Sequence, residues 1–168
     1  MKKFLIALTV IIVTSIGCKK ELEGGGICAC SFDAPPYLSL VIKNAAGNDL
    51  LNSKTNGYIP ASQLKVYRVE TNGSTKNIEF GVRPPFSYGS NQFAFHQLYS
   101  QQVAALKPAE TAVYYLQLAN LPPYKLTVQM STTFRKVEKL WIDDKEAPVE
   151  TGLLQNYSDG NIFYLEVK

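Results

Sequence analysis

The 168-residue chain has one histidine, one tryptophan, two methionines and three cysteines, and charged residues make up only 18% of it. Each shortage removes a class of chemistry. A single histidine, His96, cannot build a zinc site of the H-E-x-x-H kind. A Ser-His-Asp triad would have to form around that same residue, and no G-x-S-x-G accompanies it. Alternation places His96 on the face opposite Phe95, as an edge or surface residue. There is no P-loop and no G-x-G-x-x-G. The 17 basic residues, set against 14 acidic ones, are scattered and mostly alternate with apolar residues, so nothing calls for nucleic acid. No cofactor or metal motif is present, and no residue is marked as catalytic. The apolar run Phe4 to Val13 is shorter than the roughly 20 residues that cross a bilayer as a helix.

What is present favours a folded β domain. Apolar residues make up 46% of the chain, which argues against disorder, and ten tyrosines and eight phenylalanines favour strands over helices. From Tyr37 onward the apolar period is two. Leu38, Leu40 and Ile42 alternate with Ser39, Val41 and Lys43. The same holds for Ile78, Phe80 and Val82; Phe93 and Phe95; Tyr114, Leu116 and Leu118; Leu126, Val128 and Met130; Leu140 and Ile142; and Phe163, Leu165 and Val167. Each set turns one face inward and the other to water. "LKVYRVE" at 64–70 is partly apolar on both faces, the pattern of a central strand. Turn signals separate the runs: "AAGND", "TNGS", "RPPFSYGS", "LPP", "DDKE" and "YSDGN". Asn72-Gly73 suits a type I′ hairpin turn. Residues 96–108 are expected to form a short helix ending at Pro108. Some eight short strands with frequent turns predict an all-β fold, a β-sandwich rather than a parallel sheet.

The N-terminus reads differently. "MKKFLIALTVIIVTSIGC" combines a basic start, an apolar stretch and small residues before Cys18, the parts of a secretory signal. "SIGC" resembles the lipobox of bacterial lipoproteins. That resemblance implies a leader at 1–17, a diacylglyceryl group on the Cys18 thiol, and a membrane anchor of two or three acyl chains, which hold where one does not. Loss of Lys2 and Lys3 with the leader would lower the net charge of +3 to about +1. "KKELEGGG" after Cys18 looks like the export tag of surface lipoproteins in the Bacteroidota and implies display at the bacterial outer membrane. Residues 18–36 then form a lipidated tether, flexible at "GGG" and stiffened at "APP". The folded domain is expected over 37–168.

"LSLVIKNAAGNDLLN" and "YYLQLANLPPYKLTVQMS" together resemble prealbumin-like or carboxypeptidase-regulatory-like domains. The chain also resembles small Bacteroidota outer-membrane lipoproteins with an "IKNAAGNDLL"-type first strand and a Trp-bearing strand near the end. These resemblances imply a single antiparallel β-sandwich of Ig-like or prealbumin-like Greek-key type, and they bring no catalytic residues with them.

Three groups of residues are candidates for chemistry. Cys28 and Cys30 form C-A-C, read as a local disulfide or structural thiol pair, with a redox pair or a copper site as alternatives. Glu138, Asp143, Asp144 and Glu146 cluster in sequence, and glycoside hydrolysis needs only two carboxylates. But "IDDKEAP" reads as a hairpin turn, where aspartates bond locally, and neither it nor "SDGN" has the spacing of a calcium loop. Trp141 alternates with Leu140 and Ile142 and falls on their opposite face, with Val137 and Lys139. It is either packed under a loop or a flat platform for sugars or partner side chains, with Tyr88 of "PPFSYGS" as its companion. The expected function is a lipid-anchored envelope module that binds a glycan or an envelope protein without catalysis. An enzyme with a carboxylate or thiol site, or a pilus or adhesion subunit pairing strands through an exposed uncharged edge, are the alternatives.

Overall fold

A computed structural model describes residues 35–133, 135–152 and 160–167, and of Tyr88 the backbone alone. The domain is an all-β sandwich within a compact unit spanning Ala34–Lys168. Its strands are β1 (Leu38–Asn44), β2 (Leu64–Val69), β3 (Thr75–Asn77), β4 (Gly81–Arg83), β5 (Phe86–Tyr88), β6 (Asn91–Phe93), β7 (Gln97–Ser100), β8 (Thr111–Leu118), β9 (Tyr124–Met130), β10 (Val137–Ile142), β11 (Lys145–Glu146) and β12 (Ile162–Val167). One sheet has the order β12-β1-β7-β4 and the other β11-β10-β9-β8-β2-β3, while β5 and β6 form a separate hairpin.

The period-two runs become the inner faces. Leu38, Leu40, Ile42, Leu98, Phe163 and Leu165 of the four-stranded sheet share one core with Leu64, Val66, Leu116, Leu126, Val128 and Leu140 of the six-stranded sheet. Leu116, Leu126 and Leu140 are fully buried, each worth about 1.5–3 kcal/mol of transfer free energy. A second, smaller cluster lies on the outer face of the four-stranded sheet. There Val41, Phe93 and Ile162 are buried, with Phe86, Phe95 and Tyr164 packed on them, so the β5–β6 hairpin covers that face.

Several features depart from the sequence expectation. β1 pairs with β12 in parallel, Leu40 opposite Phe163, so the four-stranded sheet is mixed rather than purely antiparallel. A long crossover through the other sheet separates these two strands, and such a path permits parallel pairing. Residues 97–100 are a strand instead of the start of a helix, because Leu98 fits the core beside Leu40 and Val82. Tertiary burial overrides local propensity there. The run containing Ile78, Phe80 and Val82 points inward throughout, yet it crosses between sheets: β3 ends at Asn77 and β4 starts at Gly81. The "TNGS" hairpin is a three-residue loop. Gly73 N donates to Glu70 O at 2.9 Å, Gly73 alone has positive φ (+80°), and Glu70 N donates to Ser74 O at 2.8 Å. That is a type I turn followed by a left-handed glycine. The two-residue turn with both φ positive is instead at Asp143 (49°) and Asp144 (64°), between β10 and β11.

The most consequential departure is in β10. Val137 opposes Met130 and Lys139 opposes Gln129, so one extra residue, Glu138, sits between consecutive pairs. This is a β-bulge, and it resets the alternation. Val137 is buried in the core, at 1% exposure, rather than lying beside Lys139 and Trp141. The Asn161 side-chain amide holds the bulge by donating to Val137 O (3.1 Å) and Glu138 O (3.2 Å).

Candidate functional site

The solvent face of the six-stranded sheet carries the side chains that alternate with the core. One cross-strand row runs Glu146, Trp141, Thr127 and Val113, and a second holds Lys139, Gln129 and Thr111. A third runs Lys125, Tyr115, Tyr67 and Asn77. Trp141 is half-buried, Val113 is exposed at 41% and Val69 at 51%. Tyr67 and Tyr115 stack on each other, centroids 5.4 Å apart at 18°. The result is two apolar and aromatic patches on this face, Trp141 of β10 and, across β9, Val113 with the Tyr67–Tyr115 pair of β8 and β2, separated by Lys125, Thr127 and Gln129 of β9. Apolar patches on an otherwise polar face are the kind of feature that marks binding surfaces.

The β10–β11 turn builds one wall of the Trp141 surroundings. Lys125 N donates to Asp143 Oδ1 (2.9 Å), Asp143 N donates to Lys125 O (2.9 Å), and Lys125 Nζ donates to Asp144 Oδ1 (2.8 Å). These bonds hold two aspartates in left-handed conformations that L-residues otherwise avoid. The Asp144 hydrogen bond and charge raise the Lys125 pKa above its ordinary value. Burial, and then the Asp143 carboxylate, raise that of the Tyr124 phenol. Lys139 Nζ lies 3.8 Å from Glu146 Oε1 and 5.9 Å from the centroid of the Trp141 ring. Both ion pairs are exposed, so they balance charge more than they stabilise the fold.

Trp141 therefore stands on the solvent face, as its alternation implies, but not with the companions expected from sequence. Tyr88 lies in β5, in the hairpin over the opposite sheet. Val137 is in the core. The neighbours are Thr111 and Thr127, with Tyr115 and Tyr67 further along. Thr111, Thr127 and Tyr115 come from the two strands before β10 and Tyr67 from β2, and which of their residues meet Trp141 is set by the sheet register. The acidic cluster does not close around a cleft: Asp143 and Asp144 hold the turn to β9, Glu146 faces Lys139, and Glu138 is exposed on the bulge. Among the described residues no three His, Cys, Asp or Glu side chains come together to hold a metal ion.

His96 has a partner that sequence reasoning missed. Asp49, only 7% exposed, accepts from His96 N and lies against His96 Nδ1, both at 2.8 Å through Oδ2, while its Oδ1 accepts from Leu51 N at 2.9 Å. The carboxylate pins the loop before β7 to the turn after β1. Cys18, Cys28 and Cys30, with residues 1–34, where the leader and most of the tether are expected, lie outside the described residues.

The free sheet edges are short or charged. β3 is Thr-Lys-Asn and β11 is Lys-Glu. Residues 148–150 cover β12, with Tyr164 N donating to Pro148 O and Glu150 N to Ile162 O. Short, charged or covered edges discourage strand addition.

No family model, no curated protein and no solved structure matches the chain. Among the described residues no helix is long and apolar enough to cross a membrane.

Proposed function

We propose that the protein is a non-enzymatic binding module of a bacterial envelope, held at the outer membrane by lipid on Cys18. Its ligand surface would be the solvent face of the six-stranded sheet around Trp141. The observation that carries the binding half is the placement of Trp141, half-exposed beside the threonines of β8 and β9, on the same sheet face as the Tyr67–Tyr115 pair. A large ring left partly in water on a sheet face, flanked by polar groups that can orient a partner, is the pattern of an interaction site. Envelope placement rests on the "SIGC" and "KKELEGGG" resemblances alone.

Two experiments test the two halves separately. Metabolic palmitate labelling should mark the wild type and not Cys18→Ser, and protease added to whole cells should remove the domain if it is displayed outward. Cosedimentation of the chain with isolated envelope fractions should fall in Trp141→Ala while the unfolding midpoint holds. Unchanged cosedimentation in that variant would place the ligand surface elsewhere.

A further inference from the structure

We propose that the depression beside Trp141 binds one ring of a neutral saccharide. The sugar's C–H face would lie on the indole, and its hydroxyls would meet Thr111, Thr127 and Asp144. This rests on reading the six-stranded sheet's solvent face as a ligand surface, and it names that surface's ligand.

The depression has a volume of about 310 Å³ and is lined by Thr111, Thr127, Trp141 and Asp144, at the small end of the range for small-molecule sites. Its shape follows from the register: the small threonines of β8 and β9 leave space beside the large ring of β10. Its chemistry is mixed in one particular way. The indole offers a flat apolar surface with a negative quadrupole, which attracts polarised C–H groups. Each threonine hydroxyl both donates and accepts, and the carboxylate accepts. A sugar ring presents the matching set, an apolar C–H face with hydroxyls around its rim.

Charge selects among polar ligands. Asp144 is balanced by Lys125 at 2.8 Å, and Lys139 is turned to Glu146 at 3.8 Å. Among the described residues, an anionic ligand would face Asp144 with both nearby lysines, Lys125 and Lys139, already paired to carboxylates, and a cationic one would compete with Lys125 for the Asp144 carboxylate. An uncharged ligand meets neither cost. Beyond Thr127 and Lys125 of β9 the same face carries the Tyr115 and Tyr67 rings, roughly 12–16 Å away at ~4.8 Å per strand and ~3.4 Å per residue, a second aromatic surface that further units of a chain could reach. Two other depressions among the described residues lack this combination. One is lined by Leu64, Lys65 and Gln117 with polar and small residues of the turns before β2 and after β8, and has no aromatic ring. In the other, Phe80 packs on the core and the Tyr99 ring lies against Gly81, where an added Cβ would come within 2.5 Å of it.

Trp141 is the sole tryptophan, so its emission reports the site directly. The full-length chain in detergent is titrated with neutral gluco-, galacto- and manno-trisaccharides, an oligogalacturonate and a chitosan trimer. The expected result is a saturable emission shift with at least one neutral trisaccharide at millimolar concentration. Thr127→Val should weaken that binding about tenfold, the cost of one lost hydrogen bond, without moving the unfolding midpoint. The proposal is overturned by no shift with any neutral sugar, by tighter binding of a charged one, or by unchanged affinity in Thr127→Val. A shift that depends on protein concentration alone would also overturn it, by making a second copy of the chain the occupant. If envelope cosedimentation still depends on Trp141 while the neutral sugars fail, the saccharide assignment falls and the binding-module reading stands. If that dependence is absent too, both fall.

Discussion

Truncating Val137 tests the bulge that sets which side chains share a face with Trp141. If β10 alternated without interruption, Val137 would lie in solvent beside Lys139, and Val137→Ala would change stability by less than about 0.5 kcal/mol. The observed register puts its side chain in the core at 1% exposure, opposite Met130. Removing two buried methyl-sized groups then costs about 1.6 kcal/mol by transfer, rising towards 3 kcal/mol where the surrounding side chains cannot collapse into the space. Through the entropy of unfolding of a domain this size, that lowers Tm by roughly 6–10 °C. Val137→Thr keeps the shape but buries a hydroxyl, and should cost about 1–3 kcal/mol. Lys139→Ala, at a site 47% exposed, is the control and should be near neutral. Equilibrium unfolding in urea, followed by Trp141 emission, measures all three variants, with unchanged m-values confirming that stability itself has changed. A neutral Val137→Ala would refute the bulge and the face assignment of Trp141 built on it.

Other consequences can be checked in the same assay. Gly81→Ala should destabilise by about 1–2 kcal/mol, because the new Cβ meets the Tyr99 ring at 2.5 Å. In a Tyr99→Ala background the same change should be neutral or stabilising, and additive effects would contradict the contact. Asp49→Ala strips acceptors from His96 N, His96 Nδ1 and Leu51 N, and should cost about 2–4 kcal/mol; a loss below 0.5 kcal/mol would show that this junction is dispensable. The Tyr164 phenol is raised well above its ordinary value, first by burial and then by its hydrogen bond and charge interaction with Glu150. The folded state therefore keeps this proton after the unfolded chain begins to lose it near pH 10, which means native protein binds more protons and stability falls as pH rises past that point. Tyr164→Phe should flatten this alkaline loss, and an unaltered pH profile would argue that the phenol is not shifted.

The sandwich was largely legible in the sequence. Leu38/Leu40/Ile42, Tyr114/Leu116/Leu118, Leu126/Val128/Met130 and Phe163/Leu165 reach the core as their period of two implies, because alternation is a local pattern that survives any arrangement of strands. Features set by distant partners were not legible. The parallel pairing of β1 with β12 depends on where the chain returns after ten intervening strands. The bulge at Glu138 is held by Asn161, 23 residues further along the chain. Residues 97–100 look helical in isolation and become a strand because Leu98 fits between Leu40 and Val82. The site divides the same way. Trp141 could be singled out by its alternation, whereas Thr111 and Thr127 carry no local mark and become neighbours only through the β8–β9–β10 register. Pairing Trp141 with Tyr88 took two aromatic residues flanked by turns as companions, and the topology sends them to different sheets.

The most direct test of the account is the emission of Trp141 while the chain is titrated with solubilised envelope material. If the solvent face of the six-stranded sheet is the ligand surface, emission shifts and saturates, and Thr127→Val displaces the curve to higher concentration. Envelope material that binds the chain with Trp141 emission unchanged would contradict it.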